Sequence, residues 1–297
     1  MTNPKPYDIP KRRVLEAYRR VKANRGAAGI DDESIEMFDA DLTGNLYKLW
    51  NRLSSGSYFP PPVKQVEIPK KNGGVLRKAI AKHIKDPWCL LYIERWLTAS
   101  AVSPDGQPVQ RTKGVPQGSV IGPVMMNLFM TYAFDEWMKR EHPNNPFSRY
   151  ADDAVAHCRS EAEAKKLLAA IEERLKECKL EMHPEKSGIV YCKDSNRRND
   201  YPRISFTFLG YEFRPRSAKS RDGKTWTGFL PAISASAKKR IRQAIREWNL
   251  PRQTSVSLNE LARRYNPHIR GWMNYYSHFR KSALYRLYDH IDQKLVR

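Results

Sequence analysis

The sequence predicts an α+β fold, and three patterns support this prediction. Apolar residues recur at helical spacing after residue 160, in a stripe that runs from Ala164 to Cys178. Two short apolar strands flank the acidic pair Asp152-Asp153, which is typical of a β-hairpin. From Ser234 to the end of the sequence, the apolar pattern is helical. Helices and strands are therefore both expected to build the fold.

The N-terminal part of the chain predicts two helices and one strand. Residues 31–53 carry apolar side chains at helical spacing, and Ser34 is positioned to cap this helix. Residues 63–69 resemble a strand and end at a lysine- and glycine-rich turn. A second helix is predicted over about residues 83–97, in which Ile84, Trp88, Leu91 and Trp96 are apolar.

The middle of the chain predicts a buried helix followed by the hairpin. Pro123 suits the first turn of a helix, and residues 124–138 are largely apolar. Strand signals follow over residues 147–158 and are interrupted by the acidic pair. Ser160 and Glu163 form a capping-box pattern, which predicts that the next helix begins there.

The last part of the chain predicts two strands and then helices. Residues 189–192 and residues 206–213 are each predicted as a strand because apolar and aromatic residues dominate them. The pattern is helical from Ser234 onward, and a helix start is predicted at Ser257. The dipeptide Asn266-Pro267 is expected to break that helix.

Composition excludes several classes of protein. Of the 297 residues, 40% are hydrophobic and 29% are charged, which is typical of a globular protein. No apolar run approaches the roughly 18 residues that a membrane span needs, and no secretory signal is visible. The four cysteines lack C-x-x-C spacing, which favours reduced thiols and a cytoplasmic protein over disulfides or a zinc site.

The net charge indicates a polyanionic partner. The chain has 53 basic and 32 acidic residues, which leaves a formal charge of +21. Residues 214–297 hold 19 of the basic and five of the acidic residues, so the composition changes near Arg214. Basic groups bind phosphates, and the aromatic residues between them can stack on bases. A solvated basic face over a helical core is the alternative, but it does not explain so large a surplus of charge.

The pair Asp152-Asp153 is the main candidate for chemistry. Two carboxylates at a hairpin tip supply the oxygen ligands that Mg²⁺ prefers, and phosphoryl transfer uses two such ions a few ångströms apart. For a bare acidic pair, a solvated turn is the more common explanation. Apolar residues flank this pair on both sides, which favours a cation site because buried carboxylates are costly without one.

Segments along nearly the whole chain match the sequence blocks of one family in the family's order. Residues 149–158 (Arg-Tyr-Ala-Asp-Asp-Ala-Val-Ala-His-Cys) contain the acidic pair. The other matching segments are residues 45–74, 113–118, 180–186, 208–211 and 266–276. The acidic segment resembles the active-site hairpin of bacterial group II intron reverse transcriptases. The other five segments, in the order given, resemble the fingers, the template loop, the block after the hairpin, the primer grip and the maturase segment of that family.

The resemblance implies a fold, a reaction and partners. The implied fold is a polymerase-type right hand, with fingers-like residues 1–77, a partial palm with an antiparallel sheet over residues 78–213, and a basic helical thumb or maturase region over residues 214–297. The implied reaction is RNA-directed DNA synthesis by a protein that a mobile element encodes. The implied cofactor is Mg²⁺, with Mn²⁺ as the alternative ion. The implied partners are structured intron RNA and a DNA primer or target. The sequence leaves the oligomeric state open.

The resemblance also implies roles for particular residues. It implies that Asp152 is the main catalytic metal ligand, and that Asp153 is either a weaker ligand or a residue just beyond direct contact with the metal. The residues expected to contact template or nucleotide are Tyr150, Pro116, Gln117, Gly118, Arg77 and Lys70. The residues expected along the primer track are Lys186, Leu209 and Gly210. For each lysine a solvated surface charge is an equal alternative, and for Tyr150 the alternative is hairpin packing.

One internal region departs from the family pattern. In the family, a Gly-Gly-x-x-Arg segment leads into a strand that carries the first catalytic aspartate. Here the match stops at Arg77, and residues 78–83 already resemble the helix beyond that aspartate. We therefore expect that the carboxylate bridging both metals is missing, and that neither Asp39 nor Asp41, on a predicted helix, replaces it. The resemblance also stops at Arg297, where related maturases continue.

Three functional alternatives follow. The first is an RNA-directed DNA polymerase with impaired activity, because loss of a bridging carboxylate commonly costs several powers of ten in rate. The second is a non-catalytic RNA-binding maturase, whose basic C-terminal region helps intron RNA to fold. The third is a decayed gene copy with neither function, which exposed strand edges and poor solubility would indicate.

Overall fold

The structure is a computed structural model that describes residues 5–24, 33–61, 63–64, 74–99, 101–102, 108–109, 121–220 and 222–296. The described residues form two compact units, which divide between Pro184 and Glu185. Both units combine helices with small sheets, which confirms the predicted α+β class. The domain limits predicted at residues 77 and 213 stay predictions.

The first unit is mainly helical. Its helices are α1 Lys11–Ala23, α2 Ile35–Asp39, α3 Leu42–Ser54, α4 Gly74–His83, α5 Pro87–Thr98, α6 Gly122–Met130, α7 Glu136–Glu141 and α8 Glu161–Glu177. Its strands are β1 Val63–Lys64, β2 Ala101–Val102, β3 Pro108–Val109, β4 Phe147–Tyr150 and β5 Asp153–Ala156. Strand β2 pairs parallel to β1 and antiparallel to β3, while β4 and β5 form a separate antiparallel pair.

Local capping chemistry sets the helix starts near the N-terminus. The side chain of Ser34 accepts the Met37 backbone N–H at 3.2 Å, which confirms Ser34 as a cap. The side chain of Asp41 accepts the Gly44 backbone N–H at 3.2 Å and caps α3. The single helix predicted over residues 31–53 is therefore wrong, because its described part contains two helices and Asp41 begins the second.

An apolar cluster joins the N-terminal helices. Ile9, Val14 and Tyr92 are its buried residues. The Tyr92 hydroxyl donates to the Leu53 carbonyl at 2.6 Å, and the Trp50 indole N–H donates to the Ile9 carbonyl at 2.7 Å. Both aromatic side chains thus bury their rings while satisfying their polar atoms, which fixes α1, α3 and α5 against one another.

The buried helix predicted over residues 124–138 is confirmed, with one irregular turn. A π-helical turn, Thr131–Asp135, joins α6 directly to α7. The side chains that this helix buries are Met125, Phe129, Met130, Ala133, Phe134 and Met138. The Phe147 ring of β4 lies edge-on to Phe134, with ring centroids 5.4 Å apart. Phe147 of β4 and Ala156 of β5 thus pack the hairpin against the cluster that these buried side chains form.

The second unit pairs one antiparallel sheet with three long helices. Its strands are β6 Phe206–Phe208, β7 Tyr211–Lys219 and β8 Thr225–Ile233, in the order β6-β7-β8. Its helices are α9 Ala235–Glu247, α10 Leu258–Tyr276 and α11 Tyr285–Val296, with 3₁₀ turns at Leu250–Arg252 and Lys281–Leu284. Strand β7 runs without interruption across residue 213, where the sequence composition changes.

Two strand predictions in this unit are wrong. The strand predicted over residues 206–213 is two strands, because Leu209 and Gly210 adopt φ values of +50° and +79° and form a turn. Residues 189–192 form no strand. The Tyr191 N–H donates to the Arg203 carbonyl at 2.9 Å as an isolated backbone bond outside any ladder.

Helix α10 continues through Pro267, so the break predicted there is wrong. Proline in a helix interior costs about 3 kcal/mol, because it removes one backbone hydrogen bond and crowds the preceding turn. Beyond the proline, Ile269, Trp272 and Tyr276 pack against the apolar cluster that α9 and α11 bury. This packing outweighs the local preference of proline.

Replacing Pro267 by alanine is expected to raise the free energy of unfolding of the second unit by about 1–3 kcal/mol. Alanine restores the backbone N–H that the Arg263 carbonyl lacks as a partner within the helix. Urea denaturation of the full chain measures the change. Pro251, in a 3₁₀ turn, is the matched control, since Pro251→Ala restores no interior helix bond. Equal effects of the two substitutions would contradict this explanation.

The helices and the cysteines also bear on the expectations about membrane spans and disulfides. Among the described helices, none combines the length and apolarity needed to cross a membrane. None of the four cysteines, all of which lie in the described part of the chain, forms a disulfide. Burial raises the pKa of each of these thiols, so each thiol is protonated near neutral pH.

Candidate active site

The acidic pair lies at the tip of the hairpin that β4 and β5 form, as the sequence predicts. Tyr150 pairs with Asp153, and a two-residue turn of Ala151 and Asp152 connects the strands. Ala151 has a φ of +54°, in the left-handed region that costs a residue with a Cβ about 1 kcal/mol. The tip therefore needs additional contacts to hold its shape.

A buried arginine clamp supplies those contacts. Arg149 makes a bidentate ion pair with Asp135, with N–O distances of 2.7 and 2.5 Å. Its remaining nitrogen donates to the Ala151 carbonyl at 2.7 Å and to the Asn127 side chain at 3.1 Å. Only 8% of the Arg149 side chain and 19% of the Asp135 side chain are exposed. The hydrogen bond with Asp135 raises the pKa of Arg149, so the guanidinium stays charged.

The clamp contacts the backbone of the hairpin tip and leaves the acidic side chains of the tip exposed. Asp152 and Asp153 are exposed, and neither carboxylate makes a hydrogen bond or ion pair with any part of the chain that the structure describes. Tyr150, opposite Asp153, is 64% exposed. The packing alternative for Tyr150 is therefore not favoured, and all three polar side chains of the tip are exposed.

The donor set at the tip fits one hydrated magnesium ion. Mg²⁺ is commonly bound by one or two carboxylates and keeps several waters, which matches Asp152 and Asp153. Within the described ranges, no group of three or more His, Cys, Asp or Glu side chains could hold a metal. Asp39 accepts hydrogen bonds from Tyr18 and Lys22, and Asp41 caps α3, so both carboxylates are used elsewhere.

The residues expected at the template and nucleotide are only partly described. Lys70, Pro116, Gln117 and Gly118 lie outside the described residues. Arg77 lies exposed on α4, where its Nε donates to the Glu94 carboxylate of α5 at 3.0 Å. Its guanidinium is therefore engaged in an exposed ion pair, which contributes at most about 1 kcal/mol. Another anion could replace the Glu94 carboxylate as its partner.

The residues expected along the primer lie in the second unit. Lys186 is exposed in a turn. Leu209 and Gly210 form the turn between β6 and β7, and the Tyr275 hydroxyl of α10 donates to the Leu209 carbonyl at 2.8 Å. A Cβ on Gly210 would lie 2.8 Å from the Tyr276 hydroxyl oxygen, so close approach and positive φ both require glycine there. Helix α10 thus fixes this turn.

Sequence reasoning missed two features of the described residues. One is the Arg149–Asp135 clamp, for which the sequence carries no signal beyond the two residue types. The other is a groove in the second unit lined by four arginines, Arg214, Arg216, Arg280 and Arg286. The charge surplus after residue 213 indicates a basic surface, but it does not indicate which cations converge.

Comparison with protein-family models gives two matches. Residues 75–213, which include the hairpin and the Leu209–Gly210 turn, match the model for reverse transcriptase (RNA-dependent DNA polymerase). Residues 238–297 match the model for the group II intron maturase-specific domain. The chain belongs to the group II intron reverse transcriptase/maturase family. A search of curated proteins finds no match.

The two matches cover different parts of this reverse transcriptase/maturase. The reverse transcriptase match begins in α4 and ends within β7. The maturase match covers nearly all of α9 and all of α10 and α11, the helices that pack around one apolar cluster. The matched ranges thus include the hairpin, the Leu209–Gly210 turn and the C-terminal helices, whereas residues 45–74 lie before the first match.

Proposed function

We propose that this chain binds structured intron RNA through its second unit and that its nucleotidyl transfer is strongly impaired. The observation that carries the RNA-binding part is the charge of residues 214–297, with 19 basic and five acidic residues in the region that contains the maturase match. Cations at this density attract the phosphates of RNA at any sequence. The proposed role is to help the intron RNA to fold.

The proposed architecture is a polymerase right hand. The helices before residue 77 correspond to fingers, the hairpin and its supporting helix correspond to a partial palm, and the C-terminal helices correspond to a thumb. The reverse transcriptase match over residues 75–213 supports this arrangement. In it, Tyr150 and Arg77 face the nucleotide, and the Leu209–Gly210 turn contacts the primer.

The proposed metal ligands are Asp152 and Asp153. A bound Mg²⁺ would neutralise phosphate charge and favour attack by a primer 3′-oxygen. The free and exposed state of both carboxylates supports this role, and the bond of Arg149 to the Ala151 carbonyl holds the backbone that carries them. Among the described residues, no third carboxylate joins this pair to supply the shared ligand that two ions need, and this supports impaired chemistry.

The test is primer extension on an RNA template with Mg²⁺ or Mn²⁺. We expect the unmodified chain and Asp152→Asn to give the same low level of DNA synthesis. One missing charge-stabilising ligand already lowers the rate by about 10²–10³-fold or more. RNA binding by the same preparations is the control for folding and should be equal for both. Efficient synthesis that Asp152→Asn abolishes would contradict impairment.

A second candidate function is active RNA-directed DNA synthesis with a DNA primer. The arrangement at the hairpin favours it, since two unpaired carboxylates project beside an exposed Tyr150 from a clamped turn. This candidate predicts Asp152-dependent extension, whereas the RNA-binding role alone predicts binding that Asp152→Asn leaves unchanged. The same experiment therefore separates the two functions.

A further inference from the structure

The second unit contains a groove of about 560 Å³ between β7 and the segment that leads into α11. Arg214 and Arg216 line it from β7, and Arg280 and Arg286 line it from the other side. The remaining lining residues are Pro215, Ser217, Ser282 and Ala283. The walls thus combine four guanidinium groups with two hydroxyl groups and present no aromatic ring.

The arginines are held to different degrees. Arg216 is 11% exposed, and its nitrogens donate to the Leu230 carbonyl at 3.1 Å and to the Glu212 carboxylate at 2.9 Å. Arg214 contacts the same carboxylate at 3.0 Å. Arg286 is exposed and makes no hydrogen bond or ion pair with the described residues. Arg280 donates to the Ser217 carbonyl at 3.3 Å. Three arginines of the groove are therefore held by the protein, and Arg286 is the cation that the described residues leave without a partner.

Two more cations of α9 lie near the groove. Burial lowers the pKa of Lys238, and the neighbouring charges of Arg242, Arg216 and Arg286 lower it further. Burial, followed by the charge of Arg214, likewise lowers the pKa of Arg216. These cations repel one another, and the Glu212 carboxylate that Arg214 and Arg216 share offsets only part of the repulsion. Such a cluster is most stable with an anion among the cations.

We propose that this groove binds two neighbouring phosphates of an RNA backbone. Arginine forks bind phosphate oxygens in pairs, and a free guanidinium opposite a fixed one can contact successive phosphates. A wall without aromatic rings offers no surface for stacking a base, so the groove takes the backbone at any sequence. The proposal rests on the proposed RNA-binding function and assigns a place to it.

The test uses the full chain with the double substitution Arg280→Gln/Arg286→Gln. The matched control is Arg240→Gln/Arg252→Gln, which removes two exposed arginines of the same unit that do not line the groove. We expect the groove variant to bind intron RNA at least tenfold more weakly than the control at 100 mM salt. The slope of log affinity against log salt should fall by roughly 1.4–1.8 for two lost phosphate contacts.

Two further measurements keep the result interpretable. Arg286 makes no hydrogen bond or ion pair with the described residues, so Arg286→Gln alone should keep the fold, which the urea denaturation midpoint checks, and should still weaken RNA binding. Inorganic pyrophosphate, titrated at constant ionic strength, should bind the unmodified chain and the control and should compete with RNA. It should bind the groove variant at least tenfold more weakly.

The outcomes separate this proposal from the proposed function. Equal RNA binding by the groove and control variants would overturn the groove and leave RNA binding intact. Pyrophosphate binding that depends on the groove, together with unchanged RNA binding, would overturn an RNA backbone as occupant and indicate a free polyphosphate. If the unmodified chain binds no RNA, the proposed function fails and this proposal fails with it.

Discussion

Replacing Arg149 by alanine is expected to lower the free energy of unfolding of the first unit by about 3–5 kcal/mol. The substitution leaves the mostly buried Asp135 carboxylate without its bidentate partner and frees the Ala151 carbonyl at the hairpin tip. Urea denaturation of the full chain measures the loss. Hydrogen exchange of the backbone amides of residues 147–156 should show whether the hairpin opens first.

Two variants control this experiment. Arg140→Ala removes an exposed ion pair with Glu141 and should cost less than about 1 kcal/mol. The double change Arg149→Met/Asp135→Leu removes both charges and should recover part of the stability, since no buried charge then lacks a partner. If Arg149→Ala is as stable as Arg140→Ala, the clamp does not hold the hairpin.

The affinity of the full chain for structured intron RNA is expected to fall by about 10³-fold or more between 50 and 200 mM salt. This estimate assumes that six or more of the 19 basic residues after residue 213 contact phosphates. Each contact releases bound counterions from the RNA, and salt opposes that release. Equilibrium binding at four or five salt concentrations gives the slope directly.

Asp152→Asn tests whether this binding is independent of the hairpin. The substitution should leave both the affinity and the salt slope unchanged, because the basic residues lie in the other unit. An affinity that hardly responds to salt would argue against phosphate contacts as its source. An affinity that Asp152→Asn reduces would place RNA contacts on the hairpin as well.

Local chemistry made part of this fold predictable. The caps at Ser34, Ser160 and Ser257 each accept a backbone N–H three residues along, as a capping pattern requires. The buried helix after Pro123 and the hairpin around Asp152 follow from apolar periodicity alone. In each case the residues that determine the element are neighbours in the sequence.

Packing between distant segments decided the elements that were predicted wrongly. Pro267 remains inside a helix because the residues after it pack against α9 and α11. The chain turns between β6 and β7 at Leu209 and Gly210. There the Tyr275 hydroxyl of α10 donates to the Leu209 carbonyl, and Tyr276 lies against Gly210. Residues 189–192 have a strand composition but no neighbouring strand. None of these contacts is visible within a short sequence window.

The candidate site divides in the same way. The acidic pair was predictable because its chemistry and its turn are contiguous in the sequence. The Arg149–Asp135 clamp joins residues 14 positions apart, on a strand and on a helix. The arginine groove joins Arg214 to Arg286 across 72 positions. Such convergence depends on tertiary structure, so the sequence predicted only that cations were abundant.

The π-helical turn makes the hairpin sensitive to residue spacing as well as to residue type. A π turn holds one residue more than an α turn, so it rotates every later position of the helix by about 100°. Asp135 ends this turn and reaches Arg149 only at that rotation. A relative that lacks one residue between Asn127 and Asp135 would aim its carboxylate elsewhere, even with every side chain of the clamp retained.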